Sequence, residues 1–316
     1  MKKFLIVDGN SILNRAFYGI RMLTNKDGLP TNAVYGMVTI LSKHIESMNP
    51  DYAAIAFDLK APTFRHKMYE GYKATRHGMP DDLAAQLPIA KECVKYMGFN
   101  VIEREGYEAD DILGTLADKS EKMGVNAYVL TGDRDSLQLI SDTTHILLAT
   151  NKDTIEFGRK EFNEKYGIEV EQFVDVKALM GDSSDNIPGV PGIGEKTAFK
   201  LIGDFGSLDS IYEKYAGSSL TPSVKQKLET GKESAYMSKA LATICKEVPL
   251  ENDFEEFAYN GFEKKSLCAL FERLEFGALI SALSLTLTLM QRKPPRLLTR
   301  GKKNVFATVS AISVRS

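Results

Sequence analysis

Tyr107-Glu108-Ala109-Asp110-Asp111 is the stretch around which the chain is organised: three carboxylates within four residues, directly before an apolar helical pattern from Ile112 to Ala117. One or two acids are common at a helix start, because they interact favourably with the positive end of the helix dipole. Three carboxylates this close repel one another, and they all stay ionised at low cost only when a cation joins them. The stretch therefore predicts a helix start that is also part of an acidic site.

Further acids stand directly after predicted strands. The strands and their acids are 3–7 with Asp8, 52–57 with Asp58, and 126–130 with Asp133 and Asp135. In open parallel α/β sheets, ligands bind beyond the carboxyl ends of the strands, where these acids are expected. One aspartate after a strand is as typical of a turn or a helix N-cap as of a site. The repetition at three strand ends favours a site.

Strands and amphipathic helices alternate through about residue 150. Besides the three strands above, the pattern predicts strands at 100–102 and 144–149, and helices at 33–48, 81–97 and from the acidic stretch to about 123. This alternation is typical of an α/β protein with a mostly parallel twisted sheet flanked by helices.

The pattern becomes helical from Arg159 onward. The predicted helices are 173–180, 208–215, 222–228, 233–244 and 264–274. We therefore predict an α/β core at 1–158, a helical region at 159–285 and a basic tail at 286–316. The chain has no acidic residue after Glu275, and Pro294-Pro295 interrupts the tail. We expect this tail to be the disordered end of a truncated or frameshifted gene rather than a DNA-binding segment.

Residues 59–80 combine basic and aromatic side chains around a single acid, Glu70. They are Lys60, Phe64, Arg65, His66, Lys67, Tyr69, Tyr72, Lys73, Arg76 and His77. Basic residues contact phosphates and aromatic residues stack on bases, so this composition indicates contact with nucleic acid. A solvated basic loop has the same composition. The acidic strand ends favour the first interpretation, because a phosphate chain approaches carboxylates only beside compensating positive charge.

A glycine-rich turn follows one more pair of acids. Asp182 and Asp185 lie in Gly181–Pro188, and the chain continues as Gly189-Val190-Pro191-Gly192-Ile193-Gly194-Glu195-Lys196-Thr197. A P-loop has lysine directly after its last glycine, and a dinucleotide fingerprint follows a strand, so neither motif fits. The pattern predicts a helix-hairpin-helix at about 181–205, whose helix N-terminus and Lys196 bind a DNA phosphate without reading bases. An ordinary glycine-rich turn is the alternative.

The composition is that of a folded protein of moderate charge. Hydrophobic residues make up 43% and charged residues 26% of the 316 residues, and the net charge is −2. The three cysteines are odd in number and have no metal-binding spacing, which favours a reducing cytoplasm. The apolar runs at 4–7 and 279–290 are too short for a signal peptide and a membrane span, respectively. We expect a cytoplasmic monomer without membrane contact.

All nine candidate metal ligands are carboxylates. They are Asp8, Asp58, Glu108, Asp110, Asp111, Asp133, Asp135, Asp182 and Asp185. Hard oxygen donors favour Mg²⁺ or Mn²⁺ over zinc, and their number indicates two ions. Two ions about 4 Å apart can activate a water and stabilise the leaving oxygen in phosphodiester hydrolysis. Calcium storage is the alternative for an acidic cluster, but the chain has no EF-hand loop.

Six segments match a known family in order. They are Val7-Asp8-Gly9, Phe57-Asp58 through Phe64-Arg65, Gly71-Tyr72-Lys73 with Arg76, Gly106 to Asp111, Thr131-Gly132-Asp133 with Asp135, and Gly181 to Ala198. Through these segments, over roughly residues 3–285, the sequence resembles the flap endonuclease family, which includes the 5′-nuclease domain of bacterial DNA polymerase I. The resemblance implies a PIN-like α/β fold with a helical arch at about 59–80.

The resemblance also implies a metal role for each carboxylate. The first ion would be held by Asp8, Asp58, Glu108, Asp110, Asp111 and Asp133, and the second would lie toward Asp135, Asp182 and Asp185. Among these residues, Asp110 and Asp111 would also be catalytic.

Catalytic and DNA-binding residues follow from the same resemblance. Tyr72, Lys73 and Arg76 would be catalytic residues of the arch over the scissile phosphate. The DNA-binding residues would be Arg15, Arg65, Gly189, Val190, Gly192, Ile193, Gly194, Lys196 and Thr197. A K⁺ ion would bind backbone carbonyls of the hairpin.

The function that the resemblance implies is a 5′-3′ exonuclease and 5′-flap endonuclease in primer removal and repair. Its substrates would be DNA with 5′ flaps, nicks or 5′ ends, and RNA primers, and a DNA polymerase in cis or in trans would be its partner. Two alternatives stay open. A non-catalytic DNA-binding relative would have lost some of the carboxylates, whereas a PIN-like ribonuclease would lack the hairpin.

Overall fold

The computed structural model of the protein describes residues 1–76, 78–150 and 152–282. Its strands are β1 (Lys3–Asp8), β2 (Tyr52–Ala56), β3 (Asn100–Ile102), β4 (Asn126–Thr131), β5 (Thr144–Ala149) and β6 (Thr154–Phe157). They follow the order β3-β2-β1-β4-β5-β6 in one sheet. β4 pairs in parallel with β1 and with β5, whereas β6 pairs antiparallel with β5. The predicted α/β class with a mostly parallel sheet is confirmed.

Twelve α-helices lie within the described residues. They are α1 (Gly9–Gly19), α2 (Asn32–Met48), α3 (Phe64–Met68), α4 (Asp81–Ala84), α5 (Leu87–Tyr96), α6 (Ala109–Lys122), α7 (Arg159–Tyr166), α8 (Phe173–Met180), α9 (Glu195–Phe205), α10 (Leu208–Lys214), α11 (Pro222–Ala242) and α12 (Lys264–Arg273). Short 3-10 helices cover Arg134–Leu139, Val170–Gln172, Tyr215–Gly217 and Phe254–Phe257.

Two helices differ from the predicted elements, and each contains a glycine in close contact with a neighbouring segment. α1 begins at Gly9, directly after β1; a Cβ there would lie 2.5 Å from the Phe57 ring, so only glycine allows this tight strand-to-helix connection. α11 is one helix where two were predicted. Gly231 interrupts the sequence pattern but not the helix, and a Cβ there would lie 2.7 Å from Val190.

The segment predicted as a helical arch, at about 59–80, contains one short helix, α3, and residues 70–75 form turns. The predicted helix at 81–97 is divided into α4 and α5. β6 was not predicted from the sequence. The predicted tail at 286–316 lies outside the described residues.

The chain groups into two compact units. The first consists of residues 1–10, 56–78 and 102–252, and the second of 11–55, 79–101 and the described residues from 253 onward. This grouping does not follow the sequential boundary predicted at 158, which stays a prediction. No helix in the described part of the chain has the length and apolar character that a membrane crossing requires.

In the first unit, the buried strand β1 positions the site. The four residues from Phe4 to Val7 are fully buried, and α6 packs against β1 and β4. Val7 lies opposite Leu130 in the parallel register. Asp8 and Thr131 therefore follow side by side at the carboxyl ends of the two strands. In the helical part of this unit, α8 packs against α9 and α11.

In the second unit, α5 packs against α2 and α12. Gln86, which is fully buried, accepts the backbone N–H groups of Ala33 and Val34 and donates to the side chain of Asn32. This side chain therefore satisfies N–H groups at the start of α2 that the helix itself leaves without acceptors.

Candidate metal centre

Asp110, in the first turn of α6, lies among three other carboxylates. Burial raises the pKa of Asp110 well above its ordinary value, and the negative charges of Asp8, Asp133 and Asp58 raise this pKa further. The Oδ1 atom of Asp110 is buried and has no hydrogen-bond partner among the described residues. A buried carboxylate oxygen without a donor, facing like charges, is unusual in a folded protein. Its surroundings suit a bound cation.

The β1 and β4 ends are tied together by Thr131. Its hydroxyl donates to Oδ2 of Asp8 at 2.8 Å and accepts the N–H of Asp133 at 3.0 Å. Asp58 is oriented by α6, because its Oδ1 accepts the N–H of Ala109 at 2.8 Å. The sheet and the start of α6 thus hold the carboxylates around Asp110.

Asp135 and Asp182 share a lysine that the sequence analysis missed. The ammonium of Lys177, on α8, lies 2.7 Å from Oδ1 of Asp135 and 2.6 Å from Oδ2 of Asp182. Burial alone would raise the pKa of Asp182, but hydrogen bonds from Lys177 and Ser184 lower it to about 2. Burial raises the pKa of Asp135 to about 6, against the opposing effect of Lys177.

The loop that carries Asp182 and Asp185 is closed by backbone contacts. Asp182 and Ile187 exchange two N–H···O bonds of 2.8 Å. Gly181 and Gly189, both with positive φ, meet beneath the loop, where a Cβ on Gly189 would lie 2.4 Å from the Gly181 nitrogen. Both positions therefore require glycine, which explains this part of the predicted motif.

Glu108 and Asp185 contact the three residues of the predicted arch, Tyr72, Lys73 and Arg76. Lys73 Nζ lies 2.8 Å from Oε1 of Glu108 and 3.7 Å from Oδ2 of Asp185, and Arg76 donates to Oδ1 of Asp185. The Tyr72 hydroxyl donates to Glu108 at 3.0 Å. Burial, followed by the charges of Glu108 and Asp185, raises the pKa of Tyr72. Glu108, Lys73, Asp185 and Arg76 thus form a chain in which carboxylates and cations alternate.

The Tyr72 ring is not exposed for stacking on a base. It is 3% exposed and packs in a core with Ile187 and Leu241. In this structure the Tyr72 side chain supports Glu108 through its hydroxyl, and its predicted catalytic role over the scissile phosphate stays a prediction.

Asp111 and Arg65 form a buried ion pair, which the sequence did not predict. The guanidinium donates to both oxygens of Asp111 at 2.8 Å, and to the carbonyls of Leu241 and Thr243 at 2.8 Å. The Asp111 oxygens also accept the N–H groups of Cys245 and Glu108. Exposure is 0% for Asp111 and 2% for Arg65. In this structure both side chains are engaged in this pair; the metal role predicted for Asp111 and the DNA contact predicted for Arg65 stay predictions.

The hairpin rests on one face of α11. The N–H of Gly189 donates to Ser238 at 2.9 Å, its carbonyl accepts Ser234 at 2.6 Å, and the Gly192 carbonyl accepts Lys227 Nζ at 3.0 Å. These three contacts fix the backbone of the turn before α9.

Three of the residues predicted to bind DNA make contacts within the protein, and their DNA-binding role stays a prediction. Val190 and Ile193 have buried side chains, and both backbone polar groups of Gly189 are already hydrogen-bonded. They support the hairpin from inside. The exposed residues are Gly192, Gly194 and Lys196, with Thr197 half-buried. Gly194 is the N-cap of α9, and Lys196 lies in its first turn.

Arg15 lies on α1 in the second unit and is half-buried. Its predicted contact with DNA stays a prediction.

Whether the residues fit divalent ions depends on both donor chemistry and arrangement. The donors are hard oxygens, and Asp110 has the unpartnered oxygen described above. No three His, Cys, Asp or Glu side chains in the described part of the chain are already grouped closely enough to hold an ion. Like-charged carboxylates stay apart until a cation joins them, so the open arrangement is physically consistent with a metal centre. Asp110 with Asp8, Asp58 and Asp133 fits an ion, whereas Lys177 stands between Asp135 and Asp182.

Sequence reasoning missed Lys177 and Thr131, although one of them left a signal. Lys177 interrupts the apolar pattern of Phe173–Met180, and a lysine on the buried face of a helix needs a carboxylate partner. Thr131 is a β-branched residue at a strand end, which is too common to attract attention. The direction of its hydroxyl is visible only in the folded chain.

Fold and site together define an α/β protein with carboxylates at the edge of a parallel sheet and a helix-hairpin-helix region. The chain belongs to the 5′-3′ exonuclease family. The model of the family's N-terminal resolvase-like domain matches residues 3–167, and that of its C-terminal SAM fold matches residues 168–265. The family resemblance found in the sequence is confirmed.

The chain is similar to bacterial DNA polymerase I. It is 42% identical over 288 residues to that of Caldicellulosiruptor bescii, covering 90% of this chain and 34% of the relative. For Bacillus subtilis the identity is 43% over 287 residues, covering 89% and 32%. The chain thus spans about a third of the length of these relatives.

Solved structures share the fold. T5 D15 protein co-crystallised with metal ions has a TM-score of 0.66 at 21% identity, covering 77% of this chain and 90% of that chain. The catalytic core of Rad2 in complex with DNA substrate has a TM-score of 0.56 at 13% identity, covering 86% and 87%. At these identities the likeness establishes the fold and no more.

Proposed function

We propose that this chain is a metal-dependent 5′-3′ exonuclease and 5′-flap endonuclease that hydrolyses phosphodiester bonds in DNA. The observation that carries the proposal is the unpartnered Oδ1 of Asp110 amid three further carboxylates, with Lys73 and Arg76 nearby in the same compact unit. Membership of the 5′-3′ exonuclease family supports the same reaction class.

Asp110, with Asp8, Asp58 and Asp133, would hold the first divalent ion. Glu108, Asp135, Asp182 and Asp185 would lie toward the second. Mg²⁺ and Mn²⁺ suit an all-oxygen donor set. When bound, two such ions supply an activated water and stabilise the leaving oxygen of the phosphodiester. T5 5′-exonuclease, which shares the fold, has been solved with divalent zinc ions bound.

Lys73 and Arg76 would meet the substrate's phosphate. Both cations are held by carboxylates, Lys73 by Glu108 and Asp185, and Arg76 by Asp185. A phosphate oxygen can take the place of a carboxylate oxygen on either cation, and guanidinium binds phosphate in a bidentate manner. Arg76 is half exposed and Lys73 mostly buried, so Arg76 would contact the incoming chain first.

The hairpin would bind the duplex through its exposed residues, Gly192, Gly194 and Lys196. The first N–H groups of α9 and the ammonium of Lys196 favour a phosphate at this position. A K⁺ ion at the hairpin would bind carbonyl oxygens, and the Gly192 carbonyl already accepts the Lys227 ammonium. A K⁺-specific gain in duplex affinity over Na⁺ would support this cation site, whereas equal affinity in both salts would contradict it.

A DNA polymerase would act with this nuclease, either on the same polypeptide or as a separate protein. The relatives named above, DNA polymerase I, are about three times as long as the matched region. Removal of a 5′ end and extension of the adjacent 3′ end are chemically complementary. Addition of a bacterial DNA polymerase to a nicked primer substrate should therefore raise the yield of cleaved 5′ ends.

The decisive test compares Asp110→Asn with Asp142→Asn on a 5′-flap duplex in Mg²⁺. Asp142 is an exposed partner of Arg159, so its replacement controls for the loss of a charge. We expect Asp110→Asn to lower the cleavage rate about 100-fold or more, and Asp142→Asn to leave it unchanged. Full activity in Asp110→Asn would contradict the site. Preferential cleavage of single-stranded RNA by the wild type would favour a ribonuclease instead.

A second test addresses the hairpin. Lys196→Ala should weaken binding to all duplex sequences alike and reduce the slope of log affinity against log salt by about one unit. The control is Lys160→Ala, an exposed lysine on α7. A loss confined to one DNA sequence would show base reading and contradict a backbone grip.

A further inference from the structure

Lys177 is the most buried ammonium in the site described above. It is 6% exposed on α8, within the apolar run Phe173–Met180. Lysine is rarely buried to this degree unless an acid compensates its charge. Here two acids do so, since Nζ lies 2.7 Å from Asp135 and 2.6 Å from Asp182. One positive charge is therefore shared by two carboxylates from different segments.

The remaining contacts of these carboxylates fix them around the lysine. Oδ1 of Asp182 accepts the N–H and the hydroxyl of Ser184 at 2.7 and 2.6 Å. The N–H of Asp135 donates to Asp133 at 2.9 Å. Lys177 thus joins the turn after β4 to the loop at 181–189. It also takes up the oxygens that a cation between Asp135 and Asp182 would use.

The carboxylates around Asp110 are in the opposite situation. The ammonium that acts on Asp110 is that of Lys73, whose effect on its pKa is smaller than that of each of the three neighbouring acids. Oδ1 of Asp110 has no donor among the described residues. The negative charge around Asp110 is therefore only partly balanced, whereas that of Asp135 and Asp182 is balanced by the ammonium of Lys177.

We propose that Lys177 is a positioning residue that acts as a resident cation in the second metal position. It holds Asp135 and Asp182 together in the DNA-free protein and keeps a second divalent ion weakly bound there. The inference rests on the proposed function, because it concerns the second ion of that reaction. It follows that the DNA-free chain binds one divalent ion tightly, near Asp110, and that the second position fills only when Lys177 moves aside.

Calorimetric titration with Mn²⁺ in the absence of DNA tests this directly. For the wild type we expect one tight site, which Asp110→Asn removes. Lys177→Met keeps the unbranched side chain up to the position of Cε and removes the charged ammonium, so Asp135 and Asp182 would then attract the ion. We expect a second site about tenfold tighter than in the wild type. An unchanged or weaker second site in Lys177→Met would overturn the proposal.

Lys239→Met is the matched control. Lys239 also lies 2.7 Å from an aspartate, Asp175, whose other oxygen accepts the N–H of Leu208. This pair connects α11 with α8 and the start of α10. The loss of a lysine there should leave Mn²⁺ binding unchanged. Equal gains in Lys239→Met and Lys177→Met would indicate a general charge effect and contradict a specific role for Lys177.

Two further measurements keep the proposal open to refutation if Lys177→Met folds poorly. The double variant Lys177→Met/Asp182→Asn lacks the excess charge and should show no gain in Mn²⁺ affinity. The wild type alone is also informative, because two equally tight ions in the DNA-free protein would overturn the proposal. Flap cleavage by the wild type reports separately on the nuclease assignment. If the wild type did not cleave flaps but Lys177→Met still bound a second Mn²⁺ more tightly, the proposed function would be refuted and the role of Lys177 retained.

Discussion

Asp110 and Asp111 are adjacent in the chain and have the same side chain, yet they face opposite environments. Asp111 receives four close hydrogen bonds, two from Arg65 and two from backbone N–H groups. Asp110 has a buried oxygen without a donor among the described residues and three acids around it. Successive residues of an α-helix point about 100° apart, so one helix start can serve both environments.

The contrast means that Asp111 contributes to the stability of the fold, whereas Asp110 belongs to the acidic site, although both lie in the first turn of α6. On the Asp111 side, Arg65 ties the start of α6 to the carbonyls at the end of α11, and Asp111 binds the N–H of Cys245 beyond it. On the Asp110 side, the charges of three neighbouring acids act on Asp110, and the opposing effect of Lys73 is smaller than that of each acid. The hydrogen bonds of Asp111 hold the start of α6 in place against the repulsion between Asp110 and its neighbouring acids. This arrangement explains how the fold tolerates an acidic centre in the absence of a bound cation.

The largest expected effect comes from breaking the paired side. Arg65→Met leaves the Asp111 carboxylate buried without its partner and removes donors from the carbonyls of Leu241 and Thr243. Loss of one partner of a buried ion pair costs about 3–5 kcal/mol. We expect the free energy of unfolding, measured by urea denaturation, to fall by this amount.

The paired replacement Arg65→Met/Asp111→Leu provides the control. It removes both charges, so a substantial part of the lost stability should return. Because both residues are engaged in this pair in the structure, we expect the double variant to keep the tight Mn²⁺ site. If it lost that site while remaining folded, Asp111 would belong with Asp110 and the contrast between the two residues would be wrong.

The sequence predicted which carboxylates belong to this centre, but not the difference in surroundings between Asp110 and Asp111. Carboxylates after β1 and β4 could be predicted, because parallel strands end at one edge and the strands have clear apolar patterns. The role of Asp111 could not, since its partner Arg65 lies 46 residues away in a segment whose composition suggested DNA contact. Buried and exposed arginines are alike in sequence; only the tertiary fold decides which one meets a carboxylate.

For the hairpin, too, the sequence predicted the local turn but not the contacts with a distant helix. Its glycines predicted a tight turn, and Gly181 and Gly189 indeed have positive φ and a close approach. The support from α11 was not predictable, because Ser234 and Ser238 resemble ordinary surface residues of a helix. Local backbone requirements leave a signature in the sequence, whereas contacts between distant helices do not.

A smaller effect of opposite sign is expected on the unpaired side. In the metal-free protein, Asp110→Asn removes a repelled, partly unsatisfied carboxylate and should raise the free energy of unfolding by about 1–3 kcal/mol at neutral pH. The raised pKa means that the folded state disfavours the ionised form. Wild-type stability therefore falls as the pH rises above the ordinary value of 3.8. The advantage of the variant should shrink on acidification and disappear when Mg²⁺ is bound.

Thermal denaturation with EDTA and with Mg²⁺ checks this second prediction. Mg²⁺ should stabilise the wild type, because it binds the folded state, and should not stabilise Asp110→Asn. Asp142→Asn is again the control for the lost charge. A destabilised Asp110→Asn in EDTA would mean that Asp110 is compensated after all.

The smallest effects compare two threonines, one on each side. Thr131 contacts Asp8 and Asp133, whereas Thr115 donates to the carbonyl of Asp111 and accepts the N–H of Val248. Valine replaces each with nearly the same shape and leaves a backbone N–H without an acceptor. We expect each variant to lose about 1–2 kcal/mol of unfolding free energy.

Their effects on metal affinity should differ, which makes the pair a sharp test of the contrast. Thr131→Val removes the hydroxyl that orients Asp8, and loss of a group that orients a metal ligand weakens binding about 10-fold or more. Thr115→Val disturbs only the Asp111 side and should leave Mn²⁺ affinity unchanged. Equal losses of affinity in the two variants would mean that the start of α6 behaves as a single unit. A loss confined to Thr131→Val would show that Asp110 and Asp111 serve separate purposes although they share one helical turn.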